Sequence, residues 1–109
     1  MPKTIKLIVF PIKDLAKAKT FYNAFLGTEP YVDSAYYVGY KVGDLEVGLD
    51  PHGQEVVSYI EVDDIQGSIK ELQAAGAELH MDAKNVGGGL MVAQVKDVDG
   101  NVVGLRQQP

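Results

Sequence analysis

Whatever chemistry this chain performs is done without thiols, because none of its 109 residues is cysteine. Disulfides, thiolate nucleophiles and cysteine-bound metals are excluded on that ground. Imidazole is almost as scarce, with His52 and His80 the only two histidines. His52 follows Asp50-Pro51 at a turn signal and His80 stands in an extended segment, so each reads as a surface or packing residue. No Ser-His-Asp grouping or other nucleophile–base set can be assembled. Gly87-Gly88-Gly89 has the composition of a phosphate loop. A phosphate cradle, however, lies between a strand and a helix N-terminus, and here an extended segment follows, so a hairpin connection is predicted. Carboxylates and tyrosines remain. Three of the six tyrosines crowd into Tyr36-Tyr37-Val38-Gly39-Tyr40. In a strand, Tyr36 and Tyr40 project to one side and Tyr37 to the other.

The composition limits the partners. Apolar residues make up 46% of the chain and charged residues 23%, as in ordinary globular domains. Net charge is -5, and the lysines are scattered except for Lys13, Lys17 and Lys19, which read as a solvated helix face. Nucleic-acid binding through phosphate contacts needs a basic patch that this pattern does not supply. The longest apolar runs, Leu7–Phe10 and Leu90–Ala93, fall far short of the roughly 20 residues of a membrane helix. No secretory signal is read in the opening residues. With cysteine absent, a cytoplasmic protein without nucleic-acid or membrane partners is expected.

The elements that must position any site come in two similar sets. Lys3–Ile12 reads as a strand that exits at Pro11. Asp14 then caps a helix with the apolar face Leu15, Ala18, Phe21, Tyr22 and Phe25, and Gly27 stops it. Extended segments Thr28–Val32, Ala35–Val42 and Leu45–Leu49 follow. Val56–Val62 opens the second set. Asp64 caps a helix with the inner face Ile65, Ile69, Leu72 and Ala75, and Gly76 ends it. Ala77–Val86, Leu90–Val95 and Asn101–Arg106 complete the set. Ile12-Lys13-Asp14-Leu15 matches Val62-Asp63-Asp64-Ile65, and Val47-Gly48-Leu49 matches Val103-Gly104-Leu105, in the same order. The pattern indicates an internal repeat of two βαβββ modules, 3–52 and 55–107, within a single domain spanning 1–109. The expected fold class is α+β: a curved eight-stranded mixed sheet with the helices outside and a concave cleft.

These residues resemble a known family. Ile12-x-Asp14-Leu15 leading to Phe21-Tyr22 and Leu26-Gly27, Val62-x-Asp64-Ile65 leading to Ala74-Ala75-Gly76-Ala77, and the closing Asp97-Val98-Asp99-Gly100-Asn101 are similar to the glyoxalase / bleomycin-resistance / extradiol dioxygenase (vicinal oxygen chelate) superfamily. Val98 stands where the family usually has proline. Catalytic members hold a divalent metal through a histidine in the opening strand and a glutamate in the closing strand of each half. Counting along the matched motifs places those four ligands at Leu7, Gly48, Val57 and Gly104. None of the four can ligate through its side chain, so the resemblance is to a member without a metal site, and no cofactor is expected.

If those positions face the cleft, alternation adds Val9, Tyr59, Glu61, Glu46, Asp50, Val102 and Arg106 to the same face. Tyr59, Glu61, Asp50 and Arg106, with Tyr37 and Tyr40 by analogy with bleomycin-binding relatives, are the candidate ligand-binding residues. Asp50 and Arg106 occupy equivalent places in the two halves and are expected to pair. Two functions fit. One is a metal-free protein that binds a small amphipathic or aromatic molecule. The other is a metal-independent isomerase, lyase or hydrolase acting on a small carbonyl compound with a carboxylate base. The resemblance further implies a homodimer paired across the outer sheet edges. Elemental analysis of the purified protein should find well under one equivalent of Ni, Zn, Mn or Fe, the metals such sites take. About one equivalent bound in the cleft would contradict the assignment.

Overall fold

The computed structural model describes residues 2–109. Among them are eight strands and two helices, in two sets of the same order. The first is β1 (Ile5–Pro11), α1 (Leu15–Leu26), β2 (Val32–Asp33), β3 (Val38–Val42) and β4 (Leu45–Asp50). The second is β5 (Val57–Glu61), α2 (Ile65–Ala74), β6 (Glu78–Asn85), β7 (Met91–Lys96) and β8 (Val102–Gln107). The chain divides into two compact units, Lys6–Val57 and Ser58–Pro109, the latter joined by the residues up to Ile5. In the N-terminal unit the strands are hydrogen-bonded in the order β2-β3-β4-β1, antiparallel except for the parallel β1–β4 pair. In the C-terminal unit the order β6-β7-β8-β5 repeats those senses, with β5 parallel to β8.

Both helices start as their sequences require. Asp14 accepts the N–H of Lys17 and Asp64 that of Gly67, so each side chain satisfies a donor that the first turn leaves free. α1 stops where Gly27 takes a left-handed backbone with φ of 71°. The chain enters β8 through Asp97, whose carboxylate accepts the backbone N–H groups of Asp99 and Asn101 and the Asn101 amide. These donors hold the Asp97 carboxyl below its ordinary value. The Asp-Gly-Asn part of the signature is therefore a turn device.

Each helix lies on one face of its own unit's sheet. Leu15, Ala18, Tyr22 and Leu26 of α1 pack with Phe10 and Ile12 against buried Val38, Tyr40, Val47 and Leu49. Ile65, Ile69 and Leu72 of α2 pack with Ile60, Ala83 and Met91 against Ala93 and Leu105. The expected inner faces need correction at three places. Phe21 and Phe25 are 59% and 68% exposed, and Ala75 is exposed at the end of α2. Successive helical residues are about 100° apart, so a helix seated on the 15-18-22-26 stripe turns positions 21 and 25 outward.

The aromatic segment also differs from its expected form. The strand begins only at Val38, because the Ser34 hydroxyl accepts the N–H groups of Tyr36 and Tyr37 and turns the chain there. Tyr36 is left exposed, and the weak extended segment expected before it shrinks to Val32–Asp33. Tyr40 is 0% exposed beneath α1 and belongs to the core rather than to a ligand site. Its hydroxyl donates to Asn23 Oδ1 at 2.6 Å, and the Asn23 amide donates in turn to Glu29 at 2.6 Å. Among the described residues no helix is long and apolar enough to cross a membrane.

Burial raises the Tyr40 pKa above its ordinary value of 10.0. In the window between 10.0 and that raised value the unfolded chain loses the phenolic proton while the folded chain keeps it. Folding stability should therefore fall as pH rises through this window. Chemical denaturation of wild type and Tyr40→Phe across that range should show the slope in wild type and a flatter profile in the variant. At neutral pH the variant should lose about 1 kcal/mol with its hydrogen bond.

Candidate ligand-binding site

Strand register assembles the strongest polar group of the C-terminal unit. On parallel β5 and β8, Tyr59 stands opposite Gly104 and Glu61 opposite Arg106. On the other side of β8, antiparallel β7 places Gln94 opposite Gly104 and Val92 opposite Arg106. Two rows therefore cross three strands on the sheet face that points away from α2: Tyr59–Gly104–Gln94 and Glu61–Arg106–Val92.

The first row depends on Gly104 having no side chain. A Cβ added there would stand 2.7 Å from Tyr59 Cγ and closer still to the ring edge. The ring leans across the glycine, and its hydroxyl accepts the Gln94 amide at 2.8 Å. In the second row, Arg106 Nε donates to Glu61 Oε1 at 2.6 Å, and Nη2 lies 2.5 Å from the same oxygen in the ion pair. The Gln108 amide reaches the same oxygen at 3.3 Å. Tyr59 and Arg106 are buried, at 8% and 7% exposure. The Glu61 side chain keeps 24% of its surface open, and its second oxygen, Oε2, receives no hydrogen bond among the described residues. The group thus opens to solvent through an uncommitted acceptor.

The equivalent face of the N-terminal unit uses the same device. Gly48 lies between Val9 of β1 and Gly39 of β3. A Cβ at Gly48 would stand 2.6 Å from Tyr37 Cζ and nearer still to its hydroxyl, and one at Gly39 would be 3.3 Å from the same ring. Tyr37 therefore covers two paired glycines. Beside it Lys41 sits 4.6 Å above the Tyr31 ring, and the Tyr31 hydroxyl bonds to Glu46.

These glycines also answer the question of a metal. Gly48 and Gly104 are the places where the resemblance puts metal-binding glutamates, and tyrosine rings occupy the volume such side chains would need. Leu7 and Val57, at the histidine positions, are buried aliphatic residues. Among the described residues no three histidine, cysteine, aspartate or glutamate side chains gather where they could share an ion. The residues present do not fit the family's metal.

Of the candidates read from sequence, Tyr59, Glu61 and Arg106 come together and Tyr37 takes the equivalent place in the other unit. Asp50 does not pair with Arg106 as expected. Its carboxylate accepts the N–H of His52 at 2.8 Å in the turn after β4. Each partner is engaged within its own unit, since Arg106 takes Glu61 on the neighbouring strand. His52 and His80 are exposed. Gln94, Gln108 and Tyr31 were not anticipated; alternation along Leu90–Val95 could have found Gln94, which stands one strand from Gly104. A cavity of about 480 Å³ lies elsewhere, lined by Leu15, Ala16, Lys19, Asp33, Ser34 and Ala35. Its two charges are already spent on each other, with Lys19 Nζ 2.8 Å from Asp33, a hydrogen bond that raises the lysine pKa.

Gly104→Ala should destabilise the fold by about 1–3 kcal/mol, the usual cost of forcing a methyl group into filled space. In a Tyr59→Ala background the same change should cost far less, because the ring it meets is gone. Equal costs in the two backgrounds, measured by urea denaturation, would refute the close fit.

Comparison with known proteins agrees with this architecture. The sequence profile of the Glyoxalase/Bleomycin resistance protein/Dioxygenase superfamily matches residues 4–105. No curated protein sequence matches the chain. Among solved structures, a hypothetical protein from Bacillus halodurans C-125 superposes with a TM-score of 0.82 at 14% identity, covering 100% of this chain and 96% of its own. A methylmalonyl-CoA epimerase from Streptomyces coelicolor, in complex with 2-nitronate-propionyl-CoA, gives 0.78 at 16% identity, covering 99% and 96%. A glyoxalase/bleomycin resistance protein/dioxygenase superfamily member from Vibrio splendidus 12B01 gives 0.72 at 18%, covering 98% and 100%. At such identities the structures show the fold alone, and that fold is the expected glyoxalase-like one. With the family profile spanning nearly the whole chain, the protein belongs to the glyoxalase/bleomycin resistance protein/dioxygenase superfamily.

Proposed function

We propose that this is a cytoplasmic, metal-independent protein that binds a small amphipathic molecule carrying a hydrogen-bond donor, such as an amine or ammonium group. The observation that carries this reading is Glu61. Arg106 and Gln108 bind one carboxylate oxygen and hold the group in place, while Oε2 is left for a donor from outside. A fixed acceptor beside apolar surface is what orients a ligand in a small-molecule site. Tyr59, Val92 and Val102 supply that surface from the same sheet face. Support from the fold is limited to precedent: an epimerase with this fold is solved with a CoA-linked ligand.

A matched pair of probes, benzylammonium and phenylacetate, tests the reading by calorimetric titration. Benzylammonium should bind the wild type in preference to phenylacetate. Glu61→Gln should weaken it by about 2 kcal/mol or more, the scale of losing a partly buried charged acceptor. Tyr59→Phe, which keeps the ring, should have a smaller effect. Equal affinity for both probes, or no change in Glu61→Gln, would contradict the reading.

A further inference from the structure

Beyond Arg106 the chain is pinned at each successive residue. Gln107 Oε1 accepts the backbone N–H of Ile65, the first residue of α2, at 2.7 Å. Gln108 Nε2 donates to Glu61 Oε1 at 3.3 Å. Pro109 lies against Gly89, where an added Cβ would stand 2.9 Å from the proline Cβ. Gly89 itself has φ of 88°, a left-handed backbone that suits glycine. The glycine run therefore seats the end of this segment, and Gln108 is held between two anchors. All of these residues belong to the C-terminal unit.

The partner of the Gln108 amide fixes which of its ends is engaged. A carboxylate oxygen only accepts, so the amide must give its NH2 to Glu61 and keep its carbonyl oxygen as an acceptor. That oxygen receives no hydrogen bond among the described residues, and Gln108 is exposed. Glu61 Oε2 is the second uncommitted acceptor. One charged and one neutral acceptor thus belong to a single hydrogen-bonded group. A ligand nitrogen with one N–H can satisfy only one of them. A primary ammonium carries three donors, enough to bond both and leave the last to water on the open side. Since an acceptor or donor taken from water without a partner costs free energy, such a pair selects by donor count.

We infer that the polar group recognised at Glu61 is a primary ammonium, and that Gln108 distinguishes it from more highly alkylated amines; this rests on the reading of Glu61 as the ligand's acceptor. Calorimetric titration of benzylammonium and of benzyldimethylammonium, which has a single N–H, tests it. The wild type should bind benzylammonium roughly tenfold more tightly, the scale of one hydrogen bond to a charged group. Gln108→Met keeps the length of the side chain and removes its acceptor, and should bring the two probes to within about threefold. The gap is the readout, because losing the amide's bond to Glu61 affects both probes alike. Equal affinities in the wild type, or an undiminished gap in Gln108→Met, would overturn the inference, while weaker binding of both probes to Glu61→Gln would still uphold the Glu61 site. Benzylammonium binding that is unaffected by Glu61→Gln would overturn the site and the inference together.

Discussion

A glycine at the middle of one strand in each unit, overlaid by a tyrosine ring, is the constraint from which the rest of the site follows. Gly104 allows Tyr59 to cross β8 and reach Gln94, and Gly48 allows Tyr37 to cover the β3–β4 floor. Once those rings are in place, the positions at which this superfamily resembles a metal-binding fold have no room for a ligand side chain. What is left on that face of the C-terminal unit is a phenol, an amide, and a carboxylate fixed by a guanidinium.

Much of the fold was legible because its signals are local. Asp14 and Asp64 cap helices wherever they stand before an apolar stripe, and Gly27 ends one by taking a backbone other residues avoid. The repeat was legible because the same short motifs recur in the same order. Facing was less so. The apolar positions of α1 cover a wider arc than the sheet can bury, and only the packed structure selects Leu15, Ala18, Tyr22 and Leu26 over Phe21 and Phe25. Tyr40 was misjudged for a related reason, since a tyrosine with a buried hydrogen-bond partner packs as readily as a phenylalanine.

The site was half legible. Alternation along β5 and β8 correctly put Tyr59, Glu61 and Arg106 on one face, because it needs only the strand period. Pairing across strands needs register, which repeat symmetry does not supply. Asp50 and Arg106 are equivalent by repeat, but equivalence does not make partners: Asp50 accepts from His52 in its own turn, and Glu61 takes the arginine. Gln94 and Gln108 become part of the site only once β7 and the end of β8 are aligned. The same alignment turns a glycine that reads as featureless in sequence into the residue on which the tyrosine rests.

Backbone and side-chain amide chemical shifts, followed while benzylammonium is titrated into the protein, test most directly whether this row of residues is where the molecule recognises its ligand. The largest saturable changes are expected at Glu61 and Arg106 and at the side-chain amides of Gln94 and Gln108, with little change around Leu15, Lys19 and Asp33. Changes centred on the cavity beside α1, or none that saturate, would contradict it.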